Sequence, residues 1–264
     1  MPDSAKKIRL RSVFVSDVHL GSRDCRAREL LQFLESFEAD YLFLIGDIVD
    51  FWSLRRAFYW PEEHNEVLRA ILAKAKEGTK VIYVPGNHDD NIREFCGSLF
   101  GNMSIRRKYV HATADGREFL IMHGDEFDTA VKYSRWLARF GATAYEFMMR
   151  LNRSVNACRR AFGMPYWSLA TYLKLRLPKA VQYVAAFEHA AAQAALSRNL
   201  DGIVCGHIHR AGMRQIDGVL YCNDGDWVES CTALVESGSG ELSLWHAEKL
   251  HASVRQEELI EIAA

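Results

Sequence analysis

Five segments of the sequence combine aspartate, asparagine and histidine within a few residues, and each follows a short apolar run. Carboxylate and amide oxygens together with imidazole nitrogens are ligands for divalent ions such as manganese, zinc and iron. No cysteine lies in any of the five, so the predicted ligands are oxygen and nitrogen atoms. The segments are Ser16-Asp17-Val18-His19, Gly46-Asp47-Ile48-Val49-Asp50, Pro85-Gly86-Asn87-His88-Asp89, His123-Gly124-Asp125 and Gly206-His207-Ile208-His209.

A single segment of this kind has an ordinary explanation, because Asp and His often serve as caps or turn residues at strand ends. Five of them in one chain favour a shared site that holds two metal ions. Two ions about 3.5–4 Å apart need a bridging carboxylate. Asp47 is the expected bridge, because it lies between the other motifs and follows Gly46, which permits close approach.

The elements that must position these residues alternate along the first part of the chain. Apolar runs at 11–16, 41–45 and 81–84 predict buried strands, and helical patterns separate them around 30–37 and 62–76. Since the carboxyl ends of strands in an α/β sheet line one crevice, distant segments can converge there. Later runs at 105–110 with 118–122, and at 213–216 with 219–222, predict hairpins, followed by strands at 232–235 and 242–245. This later part is predicted to be mostly antiparallel.

The interval 129–200 differs from the rest of the chain. It carries 11 cationic side chains against two glutamates, a net charge of +9, and it also holds 11 aromatic residues. Its pattern is helical, with breaks near Gly141, Gly163 and Pro178. We therefore expect a core formed by 1–128 and 201–252, a basic helical insertion or lid at 129–200, and a charged helical tail at 253–264.

Composition excludes several classes of protein. The 264 residues are 49% hydrophobic with a formal net charge of -1, which predicts a globular protein and argues against nucleic acid as a partner of the whole chain. Neither a membrane-spanning run nor a secretory leader is visible. Six scattered cysteines suit reduced thiols, so the expected location is the cytoplasm.

The ordered set of motifs resembles the calcineurin-like metallophosphoesterases. The resemblance implies a four-layer αββα sandwich, with a helical lid inserted into it. It also implies two groups of metal ligands that share Asp47, and a nearby His88 that stabilises phosphoryl oxygens or protonates the leaving oxygen. One ion would be held by Asp17, His19 and His209, the other by Asn87, His123 and His207.

Within this superfamily the chain is most similar to the UDP-2,3-diacylglucosamine pyrophosphohydrolases of lipid A synthesis. That resemblance implies release of UMP from an anionic, lipid-linked nucleotide. It implies two manganese ions as the cofactor, with zinc or iron as the alternatives. It also implies peripheral contact of the basic lid with the inner face of the membrane. The group carries arginine after the metal-binding asparagine, whereas this chain has His88. A related branch with its own substrate therefore stays open.

Two other functions stay open from the residues. A nuclease or nucleotide phosphodiesterase would use the same centre, with the basic aromatic insertion following a nucleic-acid backbone. A non-catalytic scaffold of the same fold is the other, although a complete ligand set argues against it. The remaining histidines are expected to play surface or ordinary polar roles: His64, His111, His189, His246 and His251.

Overall fold

The computed structural model describes residues 7–130 and 178–247, together with seven residues between 155 and 164. Most of the predicted insertion and all of the predicted tail at 253–264 lie outside the described residues. The strands are β1 (Ile8–Val15), β2 (Phe37–Ile45), β3 (Lys80–Val84), β4 (Leu99–Phe100), β5 (Met103–Ile105), β6 (Tyr109–Ala112), β7 (Glu118–Ile121), β8 (Gly202–Cys205), β9 (Gly212–Ile216), β10 (Val219–Asn223), β11 (Thr232–Glu236) and β12 (Leu242–His246). The helices are α1 (Ala27–Glu35), α2 (Phe51–Arg56), α3 (Glu62–Lys76), α4 (Phe127–Ala130) and α5 (Pro178–Leu196), and Asp90–Phe95 forms a 3-10 helix.

The strands form two sheets, which confirms the predicted two-sheet α/β sandwich. The larger sheet has the order β12-β11-β1-β2-β3-β5-β4, and the smaller one has the order β6-β7-β8-β10-β9. In the larger sheet β1, β2, β3 and β5 are parallel neighbours. In the smaller sheet β8 pairs in parallel with both β7 and β10. The expectation that the later half is mostly antiparallel holds for the pairs β6-β7, β9-β10 and β11-β12, whereas β8 departs from it with two parallel partners.

The central strands of the larger sheet are apolar on both faces because both faces are covered. In β2, Leu42 and Leu44 belong to the core cluster shared with α1 and α3, whereas Phe43 and Ile45 belong to the cluster shared with the smaller sheet. Successive side chains on a strand point to opposite faces, so a continuous apolar run fills both layers. This explains why these strands read as uninterrupted hydrophobic runs.

The predicted helix at 62–76 is confirmed as α3. Acidic residues occupy its first turn and lysines its last turn, which complements the helix dipole. Near its end, Lys74 is buried, its Nζ donates to the carbonyl of Phe37 at 2.7 Å and lies 3.8 Å from the centre of that ring. Burial lowers the pKa of Lys74 to about 8.

Both predicted hairpins form, with one corrected boundary. The turn at Asp217-Gly218 has positive φ at both central residues, 52° and 84°, as a two-residue hairpin turn requires. In the other hairpin the first strand is β6 rather than 105–110. Ile105 instead pairs in parallel with Tyr83 in the larger sheet, so the chain changes sheets between β5 and β6.

A buried polar cluster lies between the two sheets. His111 Nε2 lies 2.7 Å from Glu236 Oε2, and Ser12 Oγ donates to the same oxygen at 2.5 Å. The other carboxylate oxygen is 3.0 Å from Arg11 Nε and accepts a bond from Ala114 N at 2.8 Å. Hydrogen bonds from His111 and Ser12 outweigh burial and lower the pKa of Glu236.

By its internal contacts the chain divides into two compact units, residues 1–125 with 192–264, and residues 126–191. Helix α5 begins at Pro178, where the sequence predicted a break. Across the described ranges, no helix combines the length and apolar character needed to cross a bilayer. The described cysteines, all six of the chain, are free thiols.

Candidate metal centre

The first two motif loops lie side by side because they leave neighbouring parallel strands. Beyond the ends of β1 and β2, Asp17 N donates to Gly46 O at 3.1 Å and His19 N donates to Asp47 O at 2.8 Å. The two loops therefore continue the pairing of the strands past the sheet edge. As a result Asp17, His19 and Asp47 are all buried at one end of the sheet.

The smaller sheet brings its own motif loops to the same place. Gly206 N donates to His123 O at 3.1 Å, which joins the loops after β7 and β8. His207 N donates to Asp17 Oδ2 at 2.8 Å, which connects these loops to the larger sheet. All five predicted segments thus meet at one edge of the sandwich.

The predicted metal ligands fall into two groups. In the first, His209 Nε2 lies 3.1 Å from Asp17 Oδ1 and 3.4 Å from His19 Nε2. In the second, His123 Nε2 lies 3.4 Å from Asp47 Oδ2, which is itself 3.9 Å from His19 Nε2. Each group contains three side chains whose ligand atoms lie within 4.8 Å of one another: Asp17, His19 and His209 in one, and Asp47, His123 and His207 in the other.

Asn87 and His88 lie at the side of this cluster. Both are partly buried, and His88 N donates to Asp47 Oδ1 at 2.8 Å. The His88 ring meets that of His19 edge-on at 4.7 Å and packs on the outer side against Trp52 at 4.3 Å. His88, His19 and Asp47 also form a third group of ligand atoms within 4.8 Å.

The backbone around the cluster is held in uncommon conformations. Five of the seven predicted ligands have left-handed backbone angles: Asp17 (50°), His19 (54°), Asp47 (54°), His207 (71°) and His209 (49°). Non-glycine residues adopt such angles rarely, and they concentrate at functional sites. The crowding is equally tight, since a Cβ added to Gly46 would lie 2.3 Å from His123 Nδ1, and one added to Gly86 would lie 2.3 Å from Asp47 Oδ1.

Several buried nitrogen and oxygen atoms of the cluster can act as ligands for a cation. His123 Nδ1 donates to Ile45 O at 2.8 Å, so Nε2, which lies 3.4 Å from Asp47 Oδ2, is the ring nitrogen that can bind a cation. Within the part of the chain that the structure describes, His123 Nε2, Asp17 Oδ1 and Asn87 Oδ1 are buried without a hydrogen bond. Buried polar atoms of this kind are costly unless a proton or a metal ion binds them. The residues present therefore fit a site for divalent cations.

The electrostatics of the cluster agree with this fit. Burial alone would lower the pKa of His19, but its hydrogen bond to Asp50 and the nearby carboxylates raise it to about 9. Burial would raise the pKa of Asp47, yet His123, His19 and His88 hold it well below its usual range. The concentrated carboxylates favour positive charge at this edge, and metal ions can supply that charge.

Two supporting residues were missed as functional by reasoning from the sequence. Asp50 accepts from His88 Nδ1 at 2.9 Å and lies 3.2 Å from His19 Nδ1, so one carboxylate orients two imidazoles. Asp224, fully buried after β10, accepts from Ser16 Oγ at 2.7 Å. The signal was present, since the segment Asn223-Asp224-Gly225-Asp226 follows an apolar strand like the other five.

Comparison with known proteins decides the family. The family model for calcineurin-like phosphoesterases matches residues 10–211, more than half of the chain. The chain belongs to the calcineurin-like phosphoesterase family. This confirms the resemblance seen in the motifs and makes the protein a phosphoesterase. The family uses a dinuclear metal centre, and the Asp and His groups above could hold its ions.

This calcineurin-like phosphoesterase is similar to curated proteins over most of its length. A UDP-2,3-diacylglucosamine hydrolase of Neisseria gonorrhoeae is 29% identical over 234 residues, which cover 82% of this chain and 89% of that protein. The corresponding hydrolase of Neisseria meningitidis serogroup A is 26% identical, and the match covers 81% of this chain and 88% of that protein. Among solved structures, an archaeal phosphodiesterase is 14% identical with a TM-score of 0.43, covering 89% of this chain and 98% of that one.

Proposed function

We propose that the protein is a dimetal pyrophosphohydrolase that cleaves UDP-2,3-diacylglucosamine, or a related lipid-linked nucleotide, and releases UMP. The observation that carries the catalytic part of this proposal is the convergence of five loops, with six of the seven proposed ligands in two groups whose ligand atoms lie within 4.8 Å. The two hydrolases from Neisseria, which resemble this chain across four-fifths of its length, support the substrate.

The geometry supports a specific assignment of ligands. We assign Asp17, His19 and His209 to one ion and Asn87, His123 and His207 to the other, with Asp47 shared between them. His209 directs Nε2 at Asp17 and His19, and His123 directs Nε2 at Asp47. A ring nitrogen of His207 lies within 4.8 Å of ligand atoms of Asp47 and His123. Two bound divalent ions would lower the pKa of bound water and offset the charge of the phosphoryl group.

His88 is suited to proton transfer at the leaving group. Its Nδ1 is fixed by Asp50 Oδ1 at 2.9 Å, and Trp52 covers one face of the ring. The side chain is 25% exposed and borders the cluster beside His19 and Asp47, so we assign Nε2, the nitrogen that does not contact Asp50, to the substrate. In the proposed reaction water adds to phosphorus and releases a proton to solvent, the bond to the leaving oxygen breaks, and a proton on Nε2 passes to that oxygen; His88 then regains a proton from solvent.

The substrate is the finer part of the proposal. A lipid-linked nucleotide is anionic and has a large apolar portion, which matches the charge of +9 and the 11 aromatic residues at 129–200. We extend the proposal to manganese as the metal and to peripheral contact of this interval with the cytoplasmic face of a membrane.

UMP release from UDP-2,3-diacylglucosamine in manganese and mild detergent tests the proposal. Robust release by the wild-type protein, abolished in Asp47→Asn, is the expected result. A generic aryl phosphodiester serves as the second substrate, because it requires the metal centre but no acyl recognition. Hydrolysis of the aryl ester alone would contradict the lipid substrate, and hydrolysis of neither would contradict the dimetal assignment. Release undiminished in Asp47→Asn would also rule out Asp47 as the bridge.

A further inference from the structure

The first metal-binding loop ends in a tight turn that begins at His19. Ser22 N donates to His19 O at 2.9 Å, and Gly21 occupies the third position of the turn with φ of 103°. A type II turn requires a positive φ at this third position. Gly21 also has no room for a side chain, since a Cβ there would lie 2.7 Å from Cγ of Leu54 in α2.

A histidine outside all five motifs holds this turn from the other side. His64, in the first turn of α3, is 2% exposed, and Gly21 N donates to its Nδ1 at 3.1 Å. His64 is therefore not a surface residue, and its polar role is a hydrogen bond from a backbone amide. Its contact connects a helix that carries no predicted ligand with the loop that carries His19.

The environment fixes both the orientation and the charge of the His64 ring. Tyr59 and Trp60 meet it edge-on, at 5.8 Å and 5.3 Å between ring centres. An Nδ1 that accepts from a backbone N–H has no proton of its own, so the imidazole is neutral with its proton on Nε2. Burial lowers the pKa of His64 and outweighs the opposing charge of Glu63, which is itself paired with Arg28.

We propose that His64 is a positioning residue for the metal centre, which acts by fixing the His19 turn through the Gly21 amide. The inference rests on the proposed function, because it assigns His19 to one of the two ions. His19 has a left-handed backbone angle of 54°, so its turn needs external support to hold the ring in place. Groups that orient a ligand in this way commonly contribute 10- to 100-fold, as an order of magnitude, to metal affinity.

Manganese titration of chelator-stripped protein, followed by calorimetry, tests this role. His64→Leu, which removes the acceptor, should weaken one of the two manganese sites roughly tenfold and leave the other unchanged. His64→Asn, whose Oδ1 is bonded to Cγ as Nδ1 of histidine is and can therefore accept the Gly21 bond, should recover most of the lost affinity. If His64→Leu does not fold, His64→Phe carries the same expectation, because its ring takes the place of the imidazole and has no acceptor atom.

Ile71→Ala is the matched control, since Ile71 is buried in the same helix and contacts the apolar core. It should lower the melting temperature and leave both manganese affinities at the wild-type value. Wild-type affinities in His64→Leu, or an equal loss in Ile71→Ala, would overturn the role of His64. Failure of the wild-type protein to bind two ions would instead overturn the dimetal centre, and the role of His64 with it.

Discussion

Replacing Asp50 by asparagine should impair the metal centre with little effect on the fold. Oδ1 of Asp50 accepts from Ser53 N at 2.8 Å and from His88 Nδ1 at 2.9 Å. Oδ2 accepts from Ser53 Oγ at 2.8 Å and faces His19 Nδ1 at 3.2 Å. Because an amide nitrogen cannot accept a hydrogen bond, the oxygen of the asparagine should take the Oδ1 position, where it serves two N–H donors.

The size of the loss in Asp50→Asn follows from the hydrogen bonds that can still form at the Oδ2 position. The Ser53 hydroxyl can rotate and accept from the new amide, but the N–H of His19 then faces another donor. One hydrogen bond to a charged acceptor is lost, which is worth about 1.5–3 kcal/mol, or roughly 10- to 100-fold in equilibrium terms. The cap of α2 through Ser53 N is retained, so the free energy of unfolding should fall by about the same 1.5–3 kcal/mol and the protein should still fold.

The assay compares Asp50→Asn with Ser53→Ala, which removes only the hydroxyl contact. Turnover of an aryl phosphodiester and manganese affinity should both fall 10- to 100-fold, as an order-of-magnitude estimate, in Asp50→Asn and change little in Ser53→Ala. Wild-type turnover and affinity in Asp50→Asn would refute the view that this carboxylate orients His19. Equal losses in both variants would attribute the effect to the cap rather than to the imidazole.

Three further substitutions test the packing and the electrostatics. Gly206→Ala places a Cβ 2.2 Å from Ser16 Oγ and should reduce kcat/KM about 100-fold, whereas Gly238→Ala, with open space around it, should not. Glu236→Gln should cost about 3 kcal/mol in urea unfolding at neutral pH. Because the folded-state pKa of Glu236 is lowered, that difference should persist above about pH 4 and shrink as the pH falls further; an unchanged difference at pH 3 would contradict this. Lys74 binds its proton less tightly when folded, so wild-type stability should rise relative to Lys74→Met as the pH increases from about 8 to about 10. A difference in stability between the wild type and Lys74→Met that does not change with pH would exclude a lowered pKa of Lys74 as the cause.

Much of the fold is predictable from local patterns. The helix at 62–76 has a clear period and charged ends, and the turn at Asp217-Gly218 has the residues its backbone angles require. The parallel pairing of β8 with β7 and β10 was not predictable, because local patterns do not show that β8 lies next to a strand about 80 residues earlier, or that β10 rather than β9 is its other neighbour. The predicted strand at 105–110 was wrong at Ile105, because an apolar residue fits either sheet.

The site was predictable to the extent that ligand types follow strand ends. The five segments could be found because each places polar residues directly after a buried run. Supporting contacts were harder to foresee, because the roles of His64 and Asp50 depend on contacts with backbone and rings that are distant in the sequence. His111 is the same case, since its buried position depends on Glu236 across the two sheets.

The most direct test of the central claim is anomalous diffraction from a crystal of the protein soaked in manganese. Two peaks should appear about 3.5–4 Å apart. One peak should lie among Asp17, His19 and His209, the other among Asn87, His123 and His207, and Asp47 should contact both. A single peak, or two peaks that do not share Asp47, would contradict the dimetal centre on which the proposed hydrolysis depends.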